Sequence, residues 1–289
     1  MTQCSTIEIV RDGFSLRVHN IIIIGSASEG GSELFALPYF DREAYLAQSP
    51  QLYKQMCVVG GMERVFDITK IFRAEKSRTR KHMTESIQLD MEMGFADSED
   101  VIEIAIAVFE EIADRISENY QDELTAIGST IDLEPTEWLS YGEAVDLLQE
   151  NGVEIVWGED FSSEAEKELN EIVGWDTPLI VDEWPNDVRP FYQMPKDDEV
   201  SESFDFIFRG IELSSGGQRI HKPELLTEQI RAEGLDVSKF ESYIDTFRYG
   251  APPHAGWAIG LERLVMTLLE LDNIREAALF PRDPDRLTP

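Results

Sequence analysis

Apolar and polar residues alternate along 64–75 (RVFDITKIFRAE) and again along 85–96 (ESIQLDMEMGFA). A period of two marks strands with one face covered, so this region predicts strand, long loop, strand. The period lengthens to three and four positions from Ser98 to about Leu124 (VIEIAIAVFEEIADRI), which predicts an amphipathic helix. SLRVHNIIIIG (15–25) is rich in β-branched residues and predicts a strand entering a glycine-containing turn. Residues 41–61 predict two helical pieces broken at Pro50, the second closed by Gly60 and Gly61. Residues 134–175 predict a small acidic helical insertion, and PLIVDEWP (178–185) a strand. SFDFIFRGIELSSGGQRIH (203–221) predicts a strand, a glycine break and a turn; HKPELLTEQIRAEG predicts a helix ending at Gly234. GWAIG (256–260) predicts a glycine-bearing strand running into the helix LERLVMTLLELD. The expected class is α+β: one domain over 13–289, a mainly antiparallel sheet flanked by helices, with the insertion. Antiparallel order follows because strand–loop–strand over 64–96 needs no crossover helix. Residues 1–12 carry no usable period and are set apart as an N-terminal segment without predicted order.

Composition narrows the picture. A chain of 289 residues that is 42% hydrophobic and 10% aromatic can bury a full core. No apolar run approaches the roughly 18–20 residues of a membrane span. The N-terminus shows no basic segment followed by an apolar one, so no secretory signal is expected. Cys4 and Cys57 form no framework or ligand cluster, which suits a reducing cytoplasm. The net charge is −32, with 57 acidic residues against 25 basic ones, of which 8 are Lys and 17 Arg. Acid dispersed over surface-like segments, with scarce Lys, fits solution in very strong salt, where the Debye length falls to about 3 Å and self-repulsion is screened. On that halophilic reading net charge says little about partners, and local basic clusters say more.

One such cluster stands out. Arg73, Lys76, Arg78, Arg80 and Lys81 fall within nine positions, followed by His82. A guanidinium on a rigid strand suits a phosphate, and flexible cations on the loop after it suit a longer polyanion; a solvated hairpin tip is the plain alternative. In GWAIGLER (256–263) the glycines let a backbone or flat ligand come close. Arg263 would sit in the first turn of a helix, unfavourable unless an anion or π-face offsets it. In GIELSSGGQRIH (210–221), Glu212 and Ser215 offer oxygen ligands of the kind Mg²⁺ takes alongside phosphates. Each piece alone is weak.

Together with QSPQLYKQ (48–55), these pieces resemble, in order and spacing, the catalytic core of class II aminoacyl-tRNA synthetases, most closely the aspartyl/asparaginyl branch. FRAE…H…D (72–90) resembles that class's second motif and GLER (260–263) its third. The resemblance runs from about Gly25 to Pro289, across the variable insertion. It implies that Arg73 holds the α-phosphate of ATP, that Ala74 and Glu75 lie at the adenosine, and that Lys81, His82 and Met83 run along the triphosphate. Glu212 and Ser215 would bind Mg²⁺, and Arg263, with Gly260, Leu261 and Glu262 beside it, would cover the adenine and reach the γ-phosphate. Arg73 and Arg263 would be catalytic. For L-aspartate, Glu29 and Asp90 would read the ammonium, with Ser49, Gln51, Lys54, Arg73, Ser215 and Arg219 completing the pocket. Lys54 and Arg219 would favour a carboxylate over an amide, which would leave buried charge unpaired.

Three departures accompany the resemblance. Full-length members carry an anticodon-reading OB-fold before this core, and no stretch of these residues matches one; any tRNA contact is therefore expected at the acceptor end. The class's first motif, a helix and strand at a two-fold interface, is weakened, with Ile21 at its proline position, though a homodimer is still expected. Ser86 and Ile87 stand where an adenine-stacking aromatic is common. The sequence leaves three functions open: aspartate activation with transfer to tRNA, transfer to ammonia as in an asparagine synthetase-like paralogue, or a non-catalytic relic with a binding role.

Overall fold

The computed structural model describes residues 16–19, 21–25, 34–74, 76 and 78–289. The N-terminal segment 1–12, Glu29 and Glu75 lie outside them.

Alternation along the chain becomes an eight-stranded sheet ordered β1-β5-β6-β11-β10-β9-β8-β7. Its strands are β1 (Leu16–Arg17), β5 (Arg64–Phe72), β6 (Glu85–Gly94), β7 (Glu137–Ser140), β8 (Leu179–Asp182), β9 (Ser203–Phe208), β10 (Ile211–Arg219) and β11 (His254–Gly260). Neighbours are antiparallel except at the two ends, where β1 runs parallel to β5 and β7 parallel to β8. A three-stranded sheet, β2 (Ile23–Ile24), β4 (Arg42–Leu46) and β3 (Ala36–Tyr39), stands apart.

One face of the large sheet is apolar. Leu89, Met91, Trp257, Ile259, Phe204 and Phe206 project from it onto α2 (Ser98–Asn119). That helix begins at an Asp97 capping box, in which Asp97 accepts from Asp100 N–H and Asp100 returns the bond. A second cluster, around Tyr141, Phe161 and Trp184, joins α4 (Tyr141–Glu150) and α5 (Ser163–Val173) to β8. A third packs α1 (Gln51–Val59) against α6 (Pro223–Ala232) and α7 (Glu241–Arg248). α8 (Leu261–Leu268) follows β11 directly.

Four sequence expectations are corrected. Within 15–25 the described residues form two short strands, Leu16–Arg17 and Ile23–Ile24, in different sheets, because β-branched enrichment marks a strand without naming its neighbour. The first half of 41–61 is strand β4 rather than helix: it closes a hairpin with β3 through Phe40 at φ 55. The long helix stops at Asn119, where Tyr120 leaves the helical range at φ −131 and ψ 33, and a separate α3 (Gln121–Ile127) follows. In 203–221 the chain turns at Arg209 and Gly210, with φ of 47 and 67, and β10 runs unbroken through Gly216 and Gly217. Those glycines are required by closeness. A Cβ on Gly216 would lie 2.6 Å from Phe204 and Trp257, and one on Gly217, at φ +142, would lie 2.2 Å from the Glu202 carbonyl.

Candidate active site

The face of the sheet opposite α2 is polar. β6 supplies Ser86, Gln88, Asp90 and Glu92 to it, while Leu89, Met91 and Met93 turn to the core. Across the strands, Asp205, Ser215, Ala258, Asp90 and Asp67 are register partners in one row and so share this face. Two cavities open on it, and both are lined by Arg73, Gln88, Ser215 and Ala258.

The first cavity gathers Arg73, Lys81, His82, Met83, Glu212, Ser215, Gly260, Glu262 and Arg263, residues brought from four separated segments. Arg263, in the first turn of α8, donates from Nη1 to the Glu212 carbonyl at 3.0 Å and stands 3.7 Å from its carboxylate. The basic loop is held rather than free. Arg78 makes a two-pronged contact with Asp285 at 2.7 and 3.1 Å. Backbone bonds from Ile274 to Arg80 and from Thr84 to Arg282 dock it on the C-terminal segment. Lys81 bonds Glu166 of α5 at 2.9 Å and the Gly210 carbonyl at 3.2 Å. Burial raises the Glu166 carboxyl above its ordinary range, with Lys81 opposing. Glu262 turns its carboxylate to the Ile87 N–H, at 2.9 and 3.1 Å, and so ties α8 to β6. Leu261 is packed in the core, and Ala74 is not among the lining residues.

The second cavity is lined by Ser49, Gln51, Arg73, Asp90 and Ser215 together with Arg219. Lys54 stands behind this wall, fully buried, 3.1 Å from Asp90 and 3.5 Å from Glu92. Arg219 donates to Glu92 at 3.0 Å, to Gln193 at 2.8 Å and to the Gly256 carbonyl at 2.7 Å. Gly256 makes room for this cluster, since a Cβ there would lie 2.2 Å from the Glu92 carboxylate. Burial works to raise the Glu92 carboxyl, but Arg219 and Lys54 prevail and hold it below the usual range. The expectation that an amide substrate would leave Lys54 and Arg219 unpaired therefore fails: both already face buried carboxylates. On the cavity wall Arg219 and Arg189 are likewise each paired with a buried carboxylate, Glu92 and Asp205, so an incoming anion would meet their remaining N–H groups and the Arg73 guanidinium beside them.

The sequence reading missed Gln88, Arg189, Tyr192, Gln193 and Asp205. Gln88 was legible in the alternation of β6. Arg189 to Gln193 lie in an irregular stretch with no period to mark it. There Met194 N–H bonds the Gln218 carbonyl and Ile220 N–H the Tyr192 carbonyl, which lays the stretch beside the end of β10.

Asp205 is buried with its Oδ2 on Arg189 at 2.6 Å, and its Oδ1 has no hydrogen-bond partner among the described residues. Burial, with Glu212 adding to it against Arg189, pushes its carboxyl up to about 7. An orphaned carboxylate oxygen near a second carboxylate and the exposed Ser215 hydroxyl fits a hard divalent cation that keeps several waters. No group of three or more His, Cys, Asp or Glu able to hold a metal exists among the described residues. A proton affinity raised on folding favours the fold below the ordinary carboxyl range and is lost as pH rises through about 7. Asp205→Asn should therefore come nearest to wild type in melting temperature at pH 4 and exceed it at pH 8, without divalent ions. Equal melting at both values would contradict this.

Comparison with known proteins places this geometry. The family described as "tRNA synthetases class II (D, K and N)" matches residues 4–284. A Methanopyrus kandleri protein named aspartate–tRNA(Asp/Asn) ligase is 47% identical over 285 residues, covering 98% of this chain and 66% of the relative. A Picrophilus torridus protein named aspartate–tRNA(Asp) ligase is 45% identical over 281 residues, covering 96% and 66%. The asparaginyl-tRNA synthetase of Pyrococcus horikoshii, solved with asparaginyl-adenylate, superposes with a TM-score of 0.93 at 36% identity, covering 100% of this chain and 69% of that one. The chain thus spans about two thirds of the length of the relatives it matches.

Proposed function

The chain belongs to the class II tRNA synthetases of the D, K and N group, and from that premise we propose that it activates L-aspartate with ATP and passes the aspartyl group to tRNA. The observation that carries this reading is the meeting of the two cavities at Arg73 and Ser215. One is lined by cations and Glu212, as a triphosphate with Mg²⁺ requires; the other is lined by three guanidinium groups, Asp90 and Gln51, as an amino acid with a second carboxylate requires. The names of the most similar relatives favour aspartate over asparagine and tRNA over ammonia.

In the reaction, an oxygen of the aspartate α-carboxylate attacks the α-phosphorus and the bond to the β-phosphate breaks, releasing pyrophosphate. A tRNA 3′-terminal hydroxyl then attacks the activated carbonyl carbon, and AMP leaves. Both reactants of the first step are anions, so positioning and charge neutralisation dominate. Arg73, shared by both cavities, stabilises charge developing at phosphorus. Arg263 holds the nucleotide from the opposite side. Asp90 reads the ammonium, and Arg219 keeps two of its five N–H groups beyond its three bonds for the side-chain carboxylate. Glu212, Ser215 and Asp205 would hold Mg²⁺, which supplies further neutralisation at the phosphates. Aspartate-dependent exchange of pyrophosphate into ATP tests this reading.

A homodimer belongs to the same proposal. Leu16, Ile21, Ile22, Ile23 and Met62 are apolar and exposed about β1, β2 and the residues after α1, as an unpartnered isologous face would be. Sedimentation in molar salt should give a dimer at micromolar concentration; monomer alone would overturn it. A cytoplasmic, high-salt setting accords with the dispersed acid, and no helix among the described residues is long and apolar enough to cross a membrane.

A further inference from the structure

Behind the amino-acid cavity lies a chain of buried polar groups that the reaction itself does not use. His254, fully buried, has Nδ1 2.9 Å from the Pro252 carbonyl. A carbonyl only accepts, so Nδ1 carries the proton, and burial, which lowers this imidazole's proton affinity, keeps the ring neutral. Its Nε2 is then an acceptor. The Gln55 atom 3.0 Å away must be the amide nitrogen, which leaves Gln55 Oε1 facing the other way. That oxygen receives the Tyr243 hydroxyl at 2.9 Å and the Gln51 amide nitrogen at 3.1 Å. Every polarity in the chain is settled by the one before it. Gln51 lines the cavity, and with its nitrogen turned inward it presents its carbonyl oxygen to whatever binds there.

We propose that Gln55, locked between His254 and Tyr243, is a positioning residue that makes Gln51 an acceptor for the substrate α-ammonium. The proposal rests on the amino-acid-activating reading above. Without the Gln55 oxygen, turning the Gln51 carbonyl to the ammonium strands the buried Gln51 nitrogen without an acceptor, and turning that nitrogen outward opposes like with like. A hydrogen bond to a charged group is worth about a factor of ten or more in affinity.

The test compares L-aspartate with succinate, which has both carboxylates and no ammonium. Gln55→Met, similar in length and without polar atoms, should raise KM for aspartate about tenfold. The Ki for succinate and KM for ATP should stay within about twofold. Gln55→Glu still accepts from Gln51 and should keep wild-type discrimination, with His254 taking a proton to face it. Where the Met variant fails to fold, the Glu variant and Gln51→Met, which deletes the presented oxygen, carry the comparison. Equal weakening of aspartate and succinate, or a Glu variant as impaired as Met, would overturn the positioning role. A wild-type protein that binds neither compound would overturn the functional reading beneath it.

Discussion

Arg73→Ala should lower aspartate-dependent pyrophosphate exchange by more than about a hundredfold while leaving the melting temperature near that of wild type. The residue sits just past the end of β5, half-buried, and its backbone N–H bonds the Thr84 carbonyl whatever side chain it bears. What truncation removes is a guanidinium at the junction of the two cavities, where charge develops as the α-phosphorus is attacked. Preorganised donors of this kind are each worth about two to three orders of magnitude in rate. Because the interaction strengthens in the transition state, the loss should fall on kcat more than on either KM. Exchange retained in this variant would mean that the phosphate lies elsewhere.

Arg219→Leu should have the largest effect on the protein as a whole. It deletes three bonds, to Glu92, Gln193 and the Gly256 carbonyl, and leaves Glu92 buried with Lys54 at 3.5 Å as its ion-pair partner among the described residues. Breaking a buried pair by removing one partner costs about 3–5 kcal/mol. Aspartate use should vanish as well, since the side-chain carboxylate loses its fork. The two losses can be separated with Arg219→Leu/Glu92→Leu, which removes the stranded charge together with its cause. Melting temperature should recover substantially in the double variant, and aspartate-dependent exchange should not. Recovery of both would show that Arg219 acts only on the fold.

Much of this site could be read before the fold was seen, and the reason is geometric. The alternation of 64–72 and 85–94 gives two paired strands and, with them, the polar face that carries Asp90. The spacing of Arg73, Glu212 and Arg263 is interpretable because each sits at or near a strand end whose position the sheet dictates. The hidden parts depend on contacts distant in sequence. That Lys54 and Arg219 are neutralised by Asp90 and Glu92 needs α1, β6 and β10 brought together, and no local pattern announces it. Nor does any period mark the irregular stretch that carries Arg189 and Gln193. The basic loop was legible as charge but not as structure: its clamps, Asp285 and Glu166, lie more than eighty residues away. Gly216 and Gly217 look like a break in one dimension and prove to be close-packing positions within β10.

The central claim is that two adjoining cavities bring ATP and aspartate together for adenylation. Exchange of labelled pyrophosphate into ATP by the purified chain, in molar salt with Mg²⁺, tests it most directly, with L-aspartate, L-asparagine and L-lysine supplied separately. Exchange that depends on aspartate and exceeds that with the other two by about two orders of magnitude or more is the expected result. A folded protein that exchanges with none of them, or with asparagine rather than aspartate, would contradict it.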